Sequence, residues 1–526
     1  MSHSKINVGR IDDFKKGEMK AVSIGEDKEI LIVNVNNEIF ALGAHCTHYG
    51  APLEKGILKE DTIMCPWHHA CFNAKTGGLK EPPALDSLPG FEVEFENEKV
   101  IVKVPDELPS SKVLEMRERD ENARENYVII GGGAAGYAAA QALREAEFKG
   151  KITIITQENR TPYDRPNLSK DYLAGSAQDE WMPLRPDDFY KKHSIEFMFN
   201  MKVNKINIKE KKILFEKGED ISYNKLLIAT GGVPKELNIP GSDLKNIFYL
   251  RSFSSSEQII DAAQNSKNAV VIGSSFIAME SAFSLTERDI SVTVVSPDEI
   301  PFEHVLGKEI GNLLKKQHEE ARVNFKLKNS IKSFEGNGKV EFVVLENGEK
   351  IETDFVVIGI GVKPATDFIE GMEKSPDGGI KVDKTFWAAP DIYAAGDIAV
   401  FPYWLTGENV RIEHWRNALQ EGRVAGFAMA GKNIEYQSVP FFWTAQAGLN
   451  IRYSGYAKGW DDIIYWGNVS SKEFIAFYIK NNKVIAAAGN DKDKEIAAIH
   501  MLMRLDKMPS PQELRNKDVD LISLLK

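Results

Sequence analysis

Two short segments near the start of the sequence each combine one cysteine with one histidine, residue types that bind metal ions. Cys46 and His48 belong to the first segment, and Cys65 and His68 belong to the second. Two such mixed pairs predict a two-iron, two-sulfur cluster in which both thiolates bind one iron and both imidazoles bind the other. Because neutral imidazoles replace two anionic thiolates, such a cluster accepts an electron more readily than an all-cysteine cluster. The chemistry predicted from these four residues is electron transfer.

Two other interpretations of these residues are open at this stage. A structural zinc site also uses cysteine and histidine, but it usually pairs C-x(2-4)-C with H-x(3-5)-H, whereas each half here is mixed. Ordinary buried side chains would require a coincidence of spaced ligand types. His45, His69 and Cys71 are left over, and a histidine beside a ligand could compete for the iron. Spacing favours His48 and His68 over these neighbours.

Segment 65–72 reads CPWHHACF and resembles the C-P-W-H-G-A-C-F loop of Rieske ferredoxin domains. His69 stands where that pattern has glycine, and the difference concerns the backbone, because glycine permits conformations that other residues resist. Ala51 and Trp67 occupy the positions of the extra, disulfide-forming cysteines of respiratory Rieske proteins. The resemblance therefore implies the ferredoxin type, with a lower reduction potential than the respiratory type.

The composition indicates several globular domains. The chain has 526 residues, whereas single hydrophobic cores stop growing at about 250–300 residues. An apolar fraction of 43% and a charged fraction of 27% are ordinary for globular chains, which argues against disordered and fibrous classes. A formal net charge of -11 argues against a nucleic-acid partner, because nucleic-acid binders present a basic face.

Cysteine usage and hydropathy indicate the compartment. All three cysteines lie within residues 46–71, so no disulfide framework is expected and a reducing compartment is favoured. The first residues lack the apolar core of a signal peptide, and no stretch approaches the roughly eighteen apolar residues of a membrane span. We expect a cytoplasmic protein with no membrane span.

Short β-rich runs separated by turns predict a small all-β domain over residues 1–105. Pro82 and Pro83, with the turn at residues 88–90, could form a third loop over the cluster or simply connect strands. The charged, proline-containing segment 106–125 is predicted to be a linker.

A strand, a glycine-rich turn, an alanine-rich helix and a second strand follow this linker, which is the context of a dinucleotide-binding fingerprint. The glycines permit a tight turn and let a pyrophosphate approach the helix N-terminus, where free N–H groups favour an anion. Glu158, just past the second strand, is predicted to bind ribose hydroxyls, with Gln157 as the rival. The residues predicted at the turn are Gly131, Gly133, Ala134, Ala135 and Gly136.

A second unit of the same kind carries a weaker motif. Gly273 is kept, but Ser275 and a later alanine replace the other glycines, so a structural repeat without a ligand is the alternative. Asp298 and Glu299, past the next strand, would face the 2'-phosphate of NADP with like charge, which favours NAD. His304 is the residue that could assist a phosphate instead.

Two such units in tandem, with Gly396 and Asp397 near the end of the second, resemble the two-dinucleotide flavoprotein superfamily over residues 125–460. In that superfamily the Gly-Asp pair closes on the ribityl chain of FAD. Its disulfide reductases need a redox cysteine pair beside the flavin, which this sequence lacks. Segments 162–170 and 440–444 narrow the resemblance to ferredoxin reductases and apoptosis-inducing factors, and the Rieske segment in front narrows it to apoptosis-inducing factor 3-like proteins.

This resemblance implies contacts with both dinucleotides. Lys170 and Glu280 are predicted to form a buried pair near the flavin N5, where a cation favours the reduced, electron-rich ring. A surface salt bridge is the alternative for both. NAD is implied to contact Gly273, Ser275, Asp298 and Gly361. The residues implied to contact FAD are Arg165, Lys170, Val203, Arg251, Glu413, His414 and Trp443.

The expected fold class is a multidomain chain with a small all-β Rieske domain, two Rossmann-like α/β domains and an α+β C-terminal domain. In the last of these, residues 493–504 are predicted to form a helix that covers a sheet. The predicted boundaries are 1–105 for the Rieske domain, 106–125 for the linker, 126–244 with 366–435 for the FAD-binding domain, 245–365 for the NAD(H)-binding domain and 436–526 for the C-terminal domain.

The function expected from these features is hydride transfer from NADH to FAD, followed by single-electron transfer to the Rieske [2Fe-2S] cluster and on to an unknown acceptor protein. One alternative is a redox signalling protein whose flavin and NADH state switches oligomerisation or partner binding. A Rieske module attached to an inactive reductase is a third interpretation. A homodimer is left open, because the sequence does not locate a dimer surface.

Overall fold

The structure, a computed structural model, describes residues 3–517 and 519–525, and its N-terminal domain is built from two antiparallel sheets. Its strands are rich in valine and isoleucine, whose branched side chains suit a pleated surface. The strands are β1 (His3–Arg10), β2 (Met19–Gly25), β3 (Lys28–Val35), β4 (Glu38–Gly43), β5 (Ile57–Lys59), β6 (Thr62–Met64), β7 (Cys71–Asn73), β8 (Leu79–Glu81), β9 (Gly90–Glu96) and β10 (Lys99–Pro105). The larger sheet has the order β1-β10-β9-β4-β3-β2, and the smaller has the order β5-β6-β7-β8.

The two metal-ligand segments are connections of this domain, one between β4 and β5 and the other between β6 and β7. The proline-rich segment after β8 packs on the first of them, because the Thr47 hydroxyl donates to the Asp86 carbonyl at 2.7 Å. The same segment also contacts the reductase part of the chain, since Arg416 Nε donates to the Pro82 carbonyl at 3.1 Å. The predicted third loop therefore borders both the first ligand segment and the neighbouring domain.

The first nucleotide-binding unit is a parallel sheet flanked by helices. Its elements are β11 (Asn126–Ile130), α1 (Ala134–Glu145), β12 (Lys151–Ile155), α2 (Asp171–Ala174), α3 (Asp187–Lys192), β13 (Ile195–Met198), β14 (Val203–Asn207), β15 (Lys212–Phe215), β16 (Ile221–Ser222), β17 (Lys225–Ile228) and β18 (Gly232–Pro234). The parallel strands run in the order β13-β12-β11-β17. Since α1 connects β11 to β12, its N-terminus lies at the carboxyl edge of the sheet, where such folds bind dinucleotides.

The second unit repeats this arrangement. Its elements are β19 (Ile247–Tyr249), α4 (Phe253–Gln264), β20 (Asn268–Ile272), α5 (Phe276–Thr286), β21 (Ser291–Ser296), α6 (Glu303–Leu306), α7 (Lys308–Glu320), β22 (Asn324–Leu327), β23 (Ile331–Glu335), β24 (Phe342–Leu345), β25 (Lys350–Glu352), β26 (Phe355–Ile358) and β27 (Val362–Pro364). A parallel sheet of order β19-β26-β20-β21-β22 forms its core. The helix α5 starts at the weaker motif, as α1 starts at the first.

The chain then returns to the first unit. This part comprises β28 (Ile380–Lys381), β29 (Trp387–Ala389), β30 (Ile392–Ala394), β31 (Ala399–Pro402), β32 (Asn409–Val410) and α8 (Trp415–Met429). Strand β30 pairs in parallel with β17 and extends the first sheet. Helix α8 packs closely on α1, because a Cβ added to Gly422 would lie 2.1 Å from the Ala135 carbonyl oxygen.

The C-terminal domain is a five-stranded sheet with a covering helix. Its elements are β33 (Phe441–Gln446), β34 (Leu449–Gly455), β35 (Asp462–Asn468), β36 (Glu473–Lys480), β37 (Lys483–Asn490), α9 (Asp493–Arg504) and α10 (Pro511–Asn516). The sheet has the order β33-β34-β37-β36-β35, and α9 has the bounds predicted from its apolar spacing. The predicted fold class is thus confirmed.

The segment between the Rieske domain and the first unit is held along its length. Lys112 exchanges backbone hydrogen bonds with Ser87, and the Arg117 amide donates to the Arg144 carbonyl at 2.9 Å. The Rieske domain also shares an apolar cluster with the C-terminal domain, to which it contributes Ile57, Met64 and Cys71. The Rieske domain is therefore packed against the rest of the chain and is not joined to it by a free linker. The exact domain boundaries stay predictions.

Helices long and apolar enough to cross a membrane are absent from the part of the chain that the structure describes.

Candidate redox site

The four predicted cluster ligands come together as two pairs. The Nδ1 atoms of His48 and His68 lie 3.1 Å apart, and the thiols of Cys46 and Cys65 are buried and hydrogen-bonded to each other. Among residues 3–517 and 519–525, no three His, Cys, Asp or Glu side chains form a group that could hold one metal ion. Two separate pairs fit a two-iron cluster, and they do not fit the single four-ligand zinc site.

The surroundings of Cys65, His48 and His68 favour the protonation states that iron binding needs, whereas the hydrogen bond to Cys65 and burial raise the pKa of the Cys46 thiol. Burial opposes ionisation of the Cys65 thiol, but the hydrogen bond from Cys46 and the backbone N–H groups of His68 and Trp67 lower its pKa. Burial lowers the pKa of His48 to about 3 and also lowers that of His68, so both imidazoles stay neutral. A thiolate and neutral imidazoles are the forms that bind metal.

The three leftover residues have other surroundings. The His45 imidazole is half exposed and lies 3.8 Å from the Glu29 carboxylate. Burial raises the pKa of the Cys71 thiol to about 12, and this thiol belongs to the apolar cluster shared with the C-terminal domain. His69 is fully buried and stacks on Phe441 with ring centroids 3.9 Å apart. Its φ of +56° is left-handed, which explains why the Rieske pattern has glycine at this position.

A cavity of about 1280 Å³ lies at the carboxyl edge of the first sheet and is also lined by residues of the second unit and the C-terminal domain. Most predicted dinucleotide-binding residues line it, whereas Gly136, Gly273 and Asp298 do not. The predicted residues that line it are Gly131, Gly133, Ala134, Ala135, Glu158, Arg165, Lys170, Val203, Arg251, Ser275, Glu280, Gly361, Gly396, Asp397, Glu413, His414 and Trp443.

The glycines of the first motif have separate tasks. Gly131 has a φ of +121°, and a Cβ there would lie 2.1 Å from the Ala229 carbonyl oxygen. Gly133 is the N-cap residue of α1, and no atom lies within 4 Å of the position that its Cβ would take. At Gly136 a Cβ would lie 1.9 Å from the Gly131 carbonyl oxygen, so this glycine permits close packing of the helix, and its contact with a dinucleotide stays a prediction. The cavity thus meets an open helix N-terminus, which suits a pyrophosphate.

Glu158 is held as a carboxylate at the cavity wall. Arg165 Nη2 donates to Oε1 at 2.8 Å, and the Tyr163 hydroxyl donates to Oε2 at 2.6 Å. Burial opposes its ionisation, but the charge of Arg165 lowers the pKa of Glu158 below its usual range. Because a carboxylate has about four acceptor positions, Glu158 keeps capacity for ribose hydroxyls. Its rival Gln157 lines the same wall.

Lys170 and Glu280 form the predicted pair, and the pair is buried. Lys170 Nζ lies 2.8 Å from Glu280 Oε2, with side-chain exposures of 17% and 4%. This burial excludes the surface salt bridge. Ser169 and Thr444 also donate hydroxyl hydrogen bonds to Glu280, at 2.6 and 2.5 Å. Sequence reasoning missed both hydroxyl partners, because nothing in their local pattern indicates a shared carboxylate.

Two residues predicted to bind NAD at the second motif, Gly273 and Asp298, do not line the cavity. Gly273 serves the turn, because a Cβ there would lie 2.4 Å from the Gly359 carbonyl oxygen. Asp298 accepts hydrogen bonds from the hydroxyls of Ser274 and Ser296, at 2.6 and 3.2 Å. Glu299 and Lys328 form an exposed ion pair at 2.6 Å, and His304 Nε2 lies 3.7 Å from Asp298.

Trp443 connects the cavity to the cluster ligands. Its indole lines the cavity, and its ring centroid lies 4.4 Å from that of His68 and 6.1 Å from that of His48. The resemblance implied a flavin contact for Trp443, but the contact with both ligand histidines was not predicted. The Rieske histidines and the dinucleotide cavity are therefore separated by a single aromatic side chain.

Polar contacts hold the Rieske module in this position. Arg185 binds Asp86 through two hydrogen bonds of 2.7 Å, and the fully buried Arg416 donates to Glu81 at 2.7 Å. The Tyr49 hydroxyl donates to the Asp164 carboxylate, which belongs to the segment leading to Lys170. Sequence reasoning missed these residues, since each contact joins positions far apart in the chain.

The fold and this site define an FAD-dependent NAD(P)H oxidoreductase that carries a Rieske [2Fe-2S] domain. Residues 125–422 match the family described as pyridine nucleotide-disulphide oxidoreductase, and the chain belongs to that family. Residues 4–92 match the Rieske [2Fe-2S] domain, and residues 441–525 match the reductase C-terminal domain.

Relatives place the chain among ferredoxin reductases and apoptosis-inducing factors. It is 36% identical to apoptosis-inducing factor 3 of Homo sapiens over 534 aligned residues, which span 98% of this chain and 86% of that protein. It is 31% identical to rubredoxin-NAD(+) reductase of Pseudomonas putida, over 68% of this chain and 94% of that protein.

Solved structures of ferredoxin reductases have the same fold as this chain over about three quarters of its length. A chain of the covalent putidaredoxin reductase-putidaredoxin complex matches with a TM-score of 0.72 and 29% identity, over 77% of this chain and 99% of that chain. The ferredoxin reductase of Rhodopseudomonas palustris matches with a TM-score of 0.73 and 29% identity, over 77% of this chain and all of that chain. The predicted class, fold and cofactors are thereby confirmed.

Proposed function

We propose that this protein transfers hydride from NADH to FAD and passes single electrons to its own Rieske cluster, from which a separate acceptor protein draws them. The observation that carries the proposal is the position of Trp443, which lines the dinucleotide cavity and contacts His68 and His48. FAD, when bound, supplies the conversion between a two-electron hydride and single electrons. The protein supplies a short connection between the two redox sites through the Trp443 ring.

Different residues of the cavity bind different parts of FAD in this proposal. The open N-terminus of α1 receives the pyrophosphate, and Glu158 accepts hydrogen bonds from ribose hydroxyls. Gly396 and Asp397 face the cavity from the other side, where the carboxylate accepts from the ribityl chain. Lys170 places a cation at the cavity wall, and its hydrogen bond to Glu280 fixes the position of this cation. The Glu280 carboxylate is itself held in place, because the hydroxyls of Ser169 and Thr444 donate to it.

Replacement of cluster ligands separates the two halves of this function. His48→Ala or His68→Ala should abolish the Rieske paramagnetic signal, while NADH should still bleach the flavin absorbance. Reduction of an acceptor that draws from the cluster should fall, whereas reduction of a small dye by the flavin should persist. Because Ile57, Met64 and Cys71 pack against the C-terminal domain, loss of the cluster should also weaken domain docking.

His45→Ala is the matched control, since its imidazole is half exposed and lies beside Glu29. It should keep the cluster signal. A normal Rieske signal in His48→Ala would show that the ligand assignment is wrong, and an oxidised cluster in the NADH-treated wild type would show that the flavin does not feed it.

A redox switch is the second candidate function, favoured by similarity to apoptosis-inducing factor 3 over 98% of this chain. In that case NADH would change the molecular mass in solution without supporting fast turnover of a one-electron acceptor. Light scattering with and without NADH, beside steady-state NADH oxidation, distinguishes the two. The cytoplasm is the compartment proposed for either function, because the chain carries only three cysteines, all within residues 46–71.

A further inference from the structure

The histidine side of the cluster site is covered on the face that receives electrons. Trp443 packs against both His68 and His48, so an acceptor protein cannot reach the imidazoles from that direction. A second aromatic ring lies on the His48 imidazole. Tyr49 stacks on it with ring centroids 3.9 Å apart and an interplanar angle of 11°, and 47% of Tyr49 is exposed. Tyr49 thus joins a ligand imidazole to the molecular surface.

Other exits from the cluster are less direct. Trp67 is partly exposed, but its ring lies 6.5 Å from that of His68 and is tilted by 73°. Cys46 and Cys65 are both buried. His48 is itself partly exposed, and Tyr49 extends this exit to the surface. Because the rate of electron tunnelling falls steeply with the distance between the groups, the stacked and exposed Tyr49 gives a shorter path than Trp67.

The surface around Tyr49 is acidic. Its hydroxyl donates to the Asp164 carboxylate, and Asp171 is exposed nearby at the start of α2. The neighbouring cation, Lys170, is paired with Glu280. Its charge also acts on Asp164, so the exposed Asp171 is the carboxylate that keeps this surface acidic. The whole chain has a net charge of -11, which also attracts cationic partners.

We propose that the electron acceptor docks over Tyr49 and that it is a one-electron carrier protein with a basic docking face. This inference rests on the proposed function. In each step one electron leaves the reduced cluster and reduces one carrier molecule. Two carriers are therefore reduced for each NADH, which becomes NAD⁺ and releases one proton.

The binding part of the proposal is tested without turnover. Oxidised cytochrome c serves as a basic one-electron probe, and its affinity for the full-length holoprotein is measured by calorimetry at low and high salt. Asp171→Lys should weaken binding about fivefold at low salt, and the difference should shrink at high salt because rim charges are screened. Glu346→Lys is the control, since it makes the same charge change at an exposed hairpin of the second unit. Equal effects of the two changes, or no effect of Asp171→Lys, would overturn the docking site.

The transfer part is tested by the rate of cytochrome c reduction after the cluster has been reduced by NADH. Tyr49→Leu keeps bulk but removes the ring and should slow this step about tenfold or more, in line with the loss of a central interface contact. Tyr49→Phe keeps the ring and should stay within about twofold of the wild type, because only the hydrogen bond to Asp164 is lost. Trp67→Ala tests the competing exit.

A slower step in Trp67→Ala with normal rates in Tyr49→Leu would overturn the proposal. The extent of cluster reduction by NADH is recorded in every variant. If the cluster stays oxidised in the wild type, the proposed function fails; if it is reduced normally in Tyr49→Leu, any slowing belongs to the exit step.

Discussion

His69 shows how one side chain can serve a domain interface at a cost in backbone strain. A non-glycine residue in the left-handed region costs about 1–2 kcal/mol, and His69 has a φ of +56°. In return, its imidazole fills the space between Phe441 and His500, with centroid distances of 3.9 and 4.7 Å. Its carbonyl also accepts a hydrogen bond from Arg416 at 3.0 Å. The side chain contacts the C-terminal domain, and the neighbouring His68 stays the predicted cluster ligand.

His69→Gly should therefore keep the cluster and loosen the docking. Losing a large buried ring costs about 3–5 kcal/mol, and relief of the backbone strain returns about 1–2 kcal/mol. We expect a net loss of about 2 kcal/mol in the free energy of unfolding, measured by denaturant titration, with an unchanged Rieske spectrum. His45→Gly, at a half-exposed position, should change stability little. Loss of the cluster in His69→Gly would mean that His69 is a ligand.

Lys170 places a positive charge at the cavity wall, where we predict that it faces the flavin. Lys170→Ala should leave FAD bound, because many other residues line the cavity, but should slow flavin reduction by NADH about tenfold to a hundredfold through lost electrostatic stabilisation. Stopped-flow absorbance measures the rate. Lys191→Ala is the control, since Lys191 pairs with Asp188 on the surface. A rate equal to that of the wild type would mean that the cation does not act on the flavin.

At the scale of elements, we predict that the loop after β21 decides between the two nicotinamide donors. Asp298 is fixed by Ser274 and Ser296, whereas the charge of Glu299 is partly offset by Lys328. We expect NADH to be preferred, because Asp298 would repel a 2'-phosphate. Asp298→Ala should raise kcat/KM for NADPH relative to NADH, and Glu299→Ala should change this ratio less. Equal kcat/KM values for the two donors in the wild type would contradict the prediction.

The elements were predictable where the pattern is local. The apolar spacing of residues 493–504 gave the bounds of α9, and both strand-turn-helix-strand patterns folded as crossovers. The atoms around single glycines were not predictable. Gly136 and Gly273 were predicted to contact a dinucleotide, and this stays a prediction. The structure adds that a Cβ at either position would meet a backbone carbonyl oxygen. The carbonyl oxygen that excludes a Cβ at Gly273 belongs to Gly359, and no local pattern reveals such a neighbour.

At the scale of the whole molecule, the Rieske domain is held by contacts with the FAD-binding and C-terminal domains. The sequence predicted a linker between separate units, but Glu81 accepts hydrogen bonds from both Arg416 and Gln420, at 2.7 and 2.9 Å. Arg504 pairs with the other oxygen of Glu81. These partners lie on α8 and α9, more than 300 positions away in the chain, so spacing could not indicate them. One carboxylate thus ties the Rieske sheet to two other domains.

Glu81→Ala should weaken the docking of the Rieske domain and slow electron transfer between the domains. It leaves the fully buried guanidinium of Arg416 without its carboxylate, and breaking a buried pair in this way costs about 3–5 kcal/mol. Glu98→Ala is the control in the same module, because Glu98 and Arg10 form an exposed ion pair. Flavin reduction by NADH should stay normal in both variants, since Glu81 does not line the cavity. Stopped-flow spectra should show slower cluster reduction only in Glu81→Ala, because Trp443 and His68 are held in contact by the docking of the two domains. Equal rates of cluster reduction in Glu81→Ala and Glu98→Ala would mean that the contact with Trp443 survives without the carboxylate, and that apolar packing around Cys71 and His69 alone keeps the module in place.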